Sequence, residues 1–243
     1  MSMQPIPAPD QPVNPYASSQ IEVLGAEPIS RPDDTGPFQP FKTIWTRPRY
    51  TVRRIVAQDP DLHVLLLASL AGIGEALDNA STRNAGDKIS LPIIIALACA
   101  LGPLGGLFSL YISSFLIRWT GSWMGGVAPS QHIRTAIAWG SVPVVVALPL
   151  WIPNLLLVGS DLFTAETPRL DARPALWIPV IAIMVVELVL AIWSLVLLCK
   201  TVAEVQGFQS AWRGLGNLIL AGLVLFVPLI VIVVGVMAAT GQF

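Results

Sequence analysis

The sequence predicts an all-α membrane protein: a polytopic bundle of five transmembrane helices with kinks at proline and glycine, preceded by a cytoplasmic amphipathic segment. Three observations predict this fold. Hydrophobic residues make up 54% of the 243-residue chain and charged residues only 12%, whereas about a quarter of an average soluble domain is charged. Five apolar segments each approach the ~20 residues that a helix needs to cross ~30 Å of hydrocarbon. Lysines and arginines are unevenly distributed between the connecting loops.

The N-terminal region, residues 1–39, is rich in proline and polar residues and poor in apolar ones. Such a composition cannot bury enough surface to offset the entropy lost on ordering. We therefore expect a disordered, proline-rich cytoplasmic tail.

The next segment, residues 40–60, reads PFKTIWTRPRYTVRRIVAQDP and interleaves aromatic and aliphatic residues with basic ones. This pattern indicates an amphipathic segment at a lipid headgroup surface, with its helix interrupted or started near Pro48. The alternative is a solvated helix packed on the body of the protein. The candidate lipid or partner contacts in this segment are Trp45, Arg47, Arg49, Arg53 and Arg54.

The five apolar segments form the predicted membrane domain, residues 61–243. They cover residues 62–80, 91–119, 135–159, 175–199 and 215–240. The second is too long for a straight crossing, because about 29 residues at 1.5 Å each exceed 40 Å, so this helix must tilt, kink or extend past the membrane. Gly102-Pro103 is the natural place for a kink. Further prolines that predict bent helices are Pro143, Pro149, Pro153 and Pro228.

The orientation follows from the basic residues, which are enriched on the cytoplasmic side of membrane proteins. A cytoplasmic N-terminus puts ten of the 14 lysines and arginines inside and four outside. The four outside are Arg83, Lys88, Arg169 and Arg173. With five crossings, the C-terminus lies outside.

A stripe of small residues runs along the second segment and permits close approach of another helix. Its members are Gly102, Gly105, Gly106, Ser109 and Ser113. Helix packing is the expected role, and association of two copies of the chain through the stripe is a further hypothesis.

Glu187 is the only charged residue in the fourth apolar segment. A charge near the bilayer centre costs several kcal/mol unless it is paired, protonated or hydrated, so Glu187 should face the bundle interior or a polar cavity. Ser194, two turns further along, shares its face, and Glu75 in the first segment is a second carboxylate. Two readings stay open: a protonated carboxyl that fixes helix packing, or a proton or cation site.

The loop between the fourth and fifth segments, residues 200–214, is expected to be an interfacial turn at Gly207 or a partner-docking surface. Its candidate contacts are Glu204, Trp212 and Arg213. The sequence contains no phosphate-binding loop, HExxH, GxSxG or CxxC motif. We therefore expect no enzyme activity, no cofactor and no metal, and the net charge of −1 gives no reason to expect nucleic-acid binding.

Four stretches recur in the order of one family. They are WTRPRYTVRRIVAQDP, MGGVAPSQHIRTAIAWGSVPVVVALPL, LFTAE and WSLVLLCKTVAEVQGFQSAWRGLGNLIL, and together they resemble the bacterial branch of the Yip1 family. The resemblance implies a five-span helical membrane domain with a cytoplasmic N-terminus. Eukaryotic members interact with small Rab-type GTPases, but this chain lacks their D-L-Y-G-P motif, so the resemblance does not extend to Rab binding.

Two functions are consistent with these features. The first is a Yip1-type protein of the bacterial inner membrane that organises the membrane or acts as a scaffold, contacting anionic headgroups and an unidentified protein partner. The alternative is a small transporter or channel in which Glu187, with Glu75, handles a proton or cation.

Overall fold

The structure, a computed structural model, describes residues 38–240, so the expected tail lies almost entirely outside the described residues. This part of the chain is helical and contains no β-strand, which confirms the predicted all-α class. Ten α-helices follow one another along the described chain: α1 Pro40–Thr46, α2 Pro48–Gln58, α3 Val64–Thr82, α4 Leu91–Trp123, α5 Ser130–Gly140, α6 Val142–Ala147, α7 Trp151–Leu157, α8 Pro168–Ala172, α9 Trp177–Val205 and α10 Ala211–Thr240.

Five of the helical stretches in residues 38–240 are long and apolar enough to cross a membrane. They are α3, α4, the joined helices α5 to α7, α9 with the short turn before it, and α10. Each matches one of the predicted segments with shifted ends. Successive spans contact one another.

The N-terminal segment forms two helices that meet at Pro48, where a proline opens the second helix. A proline is well placed in the first turn of a helix, because its missing N–H would have no helical partner there. Thr51, Val52 and Ile55 in α2 recur at helical spacing and are fully buried, as is Ile44 in α1. The apolar face of this segment therefore packs on the helical body. Contact of its basic side chains with lipid headgroups stays a prediction.

The close contact between α3 and α4 is built on glycines. A Cβ added to Gly72 would lie 2.6 Å from the Cα of Gly106 and would also collide with the Gly102 carbonyl oxygen. Only glycine lets the two backbones approach so closely. The packing role predicted for Gly102 and Gly106 thus corresponds to a contact within one chain.

The rest of the predicted stripe does not take part in this contact. A Cβ on Gly105 would meet no atom within 4 Å, and Ser109 is also exposed. Each lies three residues after a packed glycine, which places it about 60° around the helix from the centre of the contact. Ser113 is half-buried. Association of two copies stays a prediction, and only the exposed side of the stripe is available for it.

The proline-rich third span is segmented, as its sequence predicts. Pro143 opens α6, Pro149 lies in a short 3-10 turn, and Pro153 lies within α7. By contrast, α4 continues through Pro103 as one helix of 33 residues, about 50 Å long at 1.5 Å per residue. It ends at Trp123, four residues beyond the expected end.

The fourth and fifth spans expose most of their apolar side chains. In α9 these include Ile178, Ile181, Leu188 and Ile192, which form the surface that a lipid bilayer would cover. Gly207 ends the α9 region with a φ of +76°, and the Phe208 N–H donates to the Ala203 carbonyl at 2.8 Å. The predicted break at Gly207 is confirmed.

We expect Gly72→Ala to destabilise the protein by about 1–3 kcal/mol, the usual cost of forcing extra volume into a packed contact. The measurement is the free energy of unfolding in detergent micelles, with Gly105→Ala as the matched control. Because that control adds a methyl group to open space, it should be neutral or slightly stabilising. Equal destabilisation by both substitutions would contradict the packing argument.

Candidate functional site

Glu187 is half-buried in α9 and lines a cavity of about 250 Å³ between spans one, three and four. The second carboxylate of this cavity is Asp78, from the last turns of α3. The remaining walls are apolar and include Leu148, Trp151 and Leu188.

Glu75 and Ser194, the two residues that the sequence grouped with Glu187, do not line this cavity. Glu75 is exposed and lines two separate cavities on the α4 side of α3. Ser194 donates its hydroxyl to the Gly140 carbonyl at 2.9 Å, so it ties α9 to α5. The cavity therefore combines Glu187 with Asp78 and not with Glu75 or Ser194, and an ion-handling role for Glu75, Glu187 and Ser194 stays a prediction.

Asn154 is the polar side chain that contacts Glu187. Its Nδ2 donates to Glu187 Oε1 at 3.4 Å, and the residue is only 6% exposed. Its Oδ1 is buried and has no hydrogen-bond partner within the described chain. A sequence signal for Asn154 exists: it is the only amide in the apolar stretch 142–157.

A second region of interest lies at the opposite end of α3, where Glu204 holds the N-terminal segment. Arg53 Nε donates to Glu204 Oε1 at 2.8 Å, and Arg49 approaches the other carboxylate oxygen at 3.7 Å. The sequence grouped these three residues as candidate contacts for other molecules. In the structure both arginines contact Glu204, and a contact of these residues with other molecules stays a prediction.

Two other candidates of this segment also make internal contacts. Arg54 donates to the Tyr50 hydroxyl at 2.8 Å and lies 4.6 Å above the Phe38 ring. Trp45 is half-buried against the core cluster that contains Ile44 and Trp139. Trp45 thus helps to position the segment on the body of the protein, whereas these two contacts of Arg54 lie within the segment.

The exposed part of this end is basic and aromatic. Lys42 and Arg47 are exposed on the N-terminal segment, and Trp212 is 79% exposed at the start of α10. Arg213 is exposed as well, while it donates to the Met124 carbonyl at 2.8 Å and lies 5.0 Å from the Phe208 ring. We call Lys42, Arg47, Trp212 and Arg213 the basic–aromatic surface.

A buried polar network connects the helices that carry this surface. Gln206 and Asn217 are almost fully buried, and both donate to the Ile117 carbonyl at 3.1 Å. Thr120 donates to Asn217 Oδ1 at 2.7 Å, and the Ala128 N–H donates to Gln206 Oε1 at 3.3 Å. Spans two, four and five are thus fixed to each other at the end that carries the basic–aromatic surface. Sequence reasoning missed Asn217 and Thr120, because a single polar residue in an apolar helix does not reveal its partner.

The fold and these two regions define a multi-pass helical membrane protein. A family model described as the Yip1 domain matches residues 42–233, which is most of the chain and includes both the acidic cavity and the basic–aromatic surface. The chain belongs to the Yip1 domain family. Searches of curated proteins and of solved structures return no match.

We expect Glu204→Gln to loosen the N-terminal segment. An ion pair at the protein surface contributes up to about 1 kcal/mol, so the amide hydrogens of α2 should exchange up to about five-fold faster. Hydrogen exchange followed by mass spectrometry measures this, with Glu166→Gln, an exposed glutamate in the loop before α8, as the control. Added salt should speed exchange in the wild type and leave the variant unchanged, because salt screens the pair. Unchanged α2 exchange in Glu204→Gln would contradict the anchoring role.

Proposed function

We propose that this protein is a scaffold of the bacterial inner membrane, which organises the surrounding membrane or gathers partner proteins at its cytoplasmic face. The observation that carries the proposal is the basic–aromatic surface, where side chains from the N-terminal segment and the start of α10 lie at one end of the bundle. Cationic and aromatic groups at such a position suit anionic headgroups and the aromatic or acidic surface of a protein partner.

The rigidity of this end supports a docking role. Glu204 holds α2 against α9, and the Gln206–Asn217 network holds α9, α10 and α4 together. A surface whose supporting elements are fixed in advance loses less entropy when a partner binds.

The proposed orientation places the basic–aromatic surface in the cytoplasm, with the C-terminus outside. Its support is the concentration of lysine and arginine at this end, which is the pattern of cytoplasmic membrane faces. Aromatic side chains give further support: Trp119 and Trp123 are exposed near the end of α4, at the depth where tryptophan is enriched at membrane interfaces.

The transporter alternative has weaker support. Glu187 and Glu75, which that function would combine, line separate cavities. Flux of a cation or of protons into proteoliposomes that is lost in Glu187→Gln would favour the transporter over the scaffold.

The orientation can be tested by cysteine labelling. In a background with Cys99 and Cys199 replaced by serine, Arg47→Cys and Lys88→Cys each place one exposed thiol at opposite ends of the bundle. In intact spheroplasts a membrane-impermeant maleimide should label Lys88→Cys, and it should label Arg47→Cys only after permeabilisation. The reverse pattern would invert the proposed topology.

The scaffold function can be tested by photo-crosslinking in the native host. A photoreactive amino acid at position 47 and one at position 212 should yield an adduct of the same mass, because both positions belong to one surface. Position 178, 75% exposed near the start of α9 at the other end, is the control and should not yield that adduct.

Reversing the charge of one residue of the surface gives a second, independent test. Lys42→Glu should weaken the adduct formed at position 212, whereas Lys88→Glu at the other end should leave it unchanged. Absence of a common adduct at positions 47 and 212, or its equal formation at position 178, would refute the proposed docking surface.

A further inference from the structure

A cavity of about 510 Å³ lies between spans three and four, at the end of the bundle opposite the basic–aromatic surface. Its walls come from α7, from α8 and the residue after it, and from the turn before α9. The charged and large apolar side chains that line it are Arg169, Arg173, Leu156, Leu157 and Leu176. None of the described residues that line this cavity is acidic, so it combines positive charge with apolar walls.

The two arginines of this cavity lie on the same side of α8. The Arg173 N–H donates to the Arg169 carbonyl at 3.1 Å, so the two residues are one helical turn apart. Side chains at this spacing are neighbours, with their Cβ atoms about 5–6 Å apart. Both residues are exposed, and the ion pairs within residues 38–240 involve Arg49 and Arg53 instead. The two guanidinium groups are therefore available to one ligand.

Two features hold Arg169 in its place at the cavity. Asp161, which is buried, accepts from the N–H groups of Arg169 at 2.7 Å and of Leu170 at 3.4 Å, and this fixes the start of α8. A Cβ added to Gly159, whose φ is +65°, would lie 2.6 Å from Nη1 of Arg169. The guanidinium group thus lies against the Gly159 backbone, in space that a larger residue would fill. A side chain held in this way loses less entropy when a ligand binds.

The apolar walls of the cavity indicate what kind of anion fits it. Leu156 is 79% exposed, and Trp177 and Ile178 are exposed where α9 begins. Tryptophan is enriched at the interface between headgroups and hydrocarbon, so the cavity lies at the depth where a lipid headgroup meets its acyl chains. A lipid would cover the exposed leucine, whereas a water-soluble anion would leave it in contact with water.

We propose that this cavity binds an anionic phospholipid, whose phosphate contacts Arg169 and Arg173 while its acyl chains cover Leu156 and Leu176. The planar donors of a guanidinium group match phosphate oxygens and can bind two of them at once. No acidic side chain among the described lining residues could receive the ammonium group of a zwitterionic lipid, so a headgroup with net negative charge fits better. The site is remote from the basic–aromatic surface and goes beyond the proposed scaffold function. In the proposed orientation it takes a lipid of the outer leaflet.

Native mass spectrometry of the full chain, delipidated in detergent, tests the site with phosphatidylglycerol and with phosphatidylethanolamine of the same acyl chains. A hydrogen bond to a charged group contributes about ten-fold in affinity. The double variant Arg169→Gln with Arg173→Gln should therefore raise the Kd of one phosphatidylglycerol per chain at least about ten-fold, and it should leave phosphatidylethanolamine binding unchanged. Arg83→Gln is the matched control, because Arg83 is exposed at the same end and does not line the cavity.

Hydrogen exchange followed by mass spectrometry gives the position of the bound lipid. In wild-type nanodiscs the amides of α8 should exchange more slowly with phosphatidylglycerol than with phosphatidylcholine, and in the double variant the two lipids should give equal exchange. Arg169→Lys with Arg173→Lys keeps both charges without the planar donors, so it should retain part of the difference. Equal unfolding midpoints of the wild type and the double variant in lipid-free detergent serve as the control for folding.

Three results would overturn the proposal. The first is equal affinity of the wild type for phosphatidylglycerol and phosphatidylethanolamine. The second is phosphatidylglycerol binding and α8 exchange that the double variant leaves unchanged. The third is displacement of phosphatidylglycerol by an equal concentration of glycerol 3-phosphate, because the ligand would then be a free phosphate ester and not a lipid.

Discussion

The backbone contact at Gly72, Gly102 and Gly106 is the constraint on which the rest of the bundle depends. Because α3 and α4 approach each other without side chains between them, they form the most extensive helix pair of the fold. Spans three and five pack on this pair, and α9 packs in turn on those two spans. Trp139 of α5 is fully buried, and its Nε1 donates to the Leu62 carbonyl at 3.0 Å. A wider separation of α3 and α4 would leave the core beneath Trp139 unfilled, and voids of that kind are costly.

The two ends of the bundle use polar groups in different ways. At the end with the N-terminal segment, acceptors and donors are matched: the Ile117 carbonyl accepts two side-chain amides, and Glu204 accepts from Arg53. Near Glu187 one group is unmatched: the buried Oδ1 of Asn154 has no hydrogen-bond partner within the described chain. Satisfied networks fix helix positions, whereas a buried acceptor without a partner is rare in folded proteins.

Much of the architecture could be predicted from local sequence, because local signals determine it. Pro48 separates the first two helices, Gly207 ends the helix before the final turn, and apolar length sets the number of spans. The partner of Glu187 could not be predicted in this way. Asp78 and Glu75 are three residues apart, about 60° around one helix, and the choice between them depends on the rotation of α3 against α9, which only the packed bundle fixes.

The same limit applies to the charged N-terminal segment. Its amphipathic pattern suits a lipid surface and a protein surface equally, because both cover an apolar face. The fully buried Val52 and Ile55 show that the protein covers this face, and the acceptor that selects Arg53 is Glu204, which lies 151 residues further along the chain. Contacts at such sequence separation leave no local signature.

One feature of α10 has consequences for how the protein responds to bilayer thickness. The first half of this helix is packed through Gly214, Asn217 and Ala221, whereas Leu223 and most of the described side chains beyond it are exposed. The first half of the helix is therefore held by packing against the bundle, whereas the second half offers its side chains to lipid. In a thinner or thicker bilayer, we expect the second half of α10 to tilt first to match the hydrocarbon thickness. Such a tilt leaves the glycine contact and the acidic cavity unchanged.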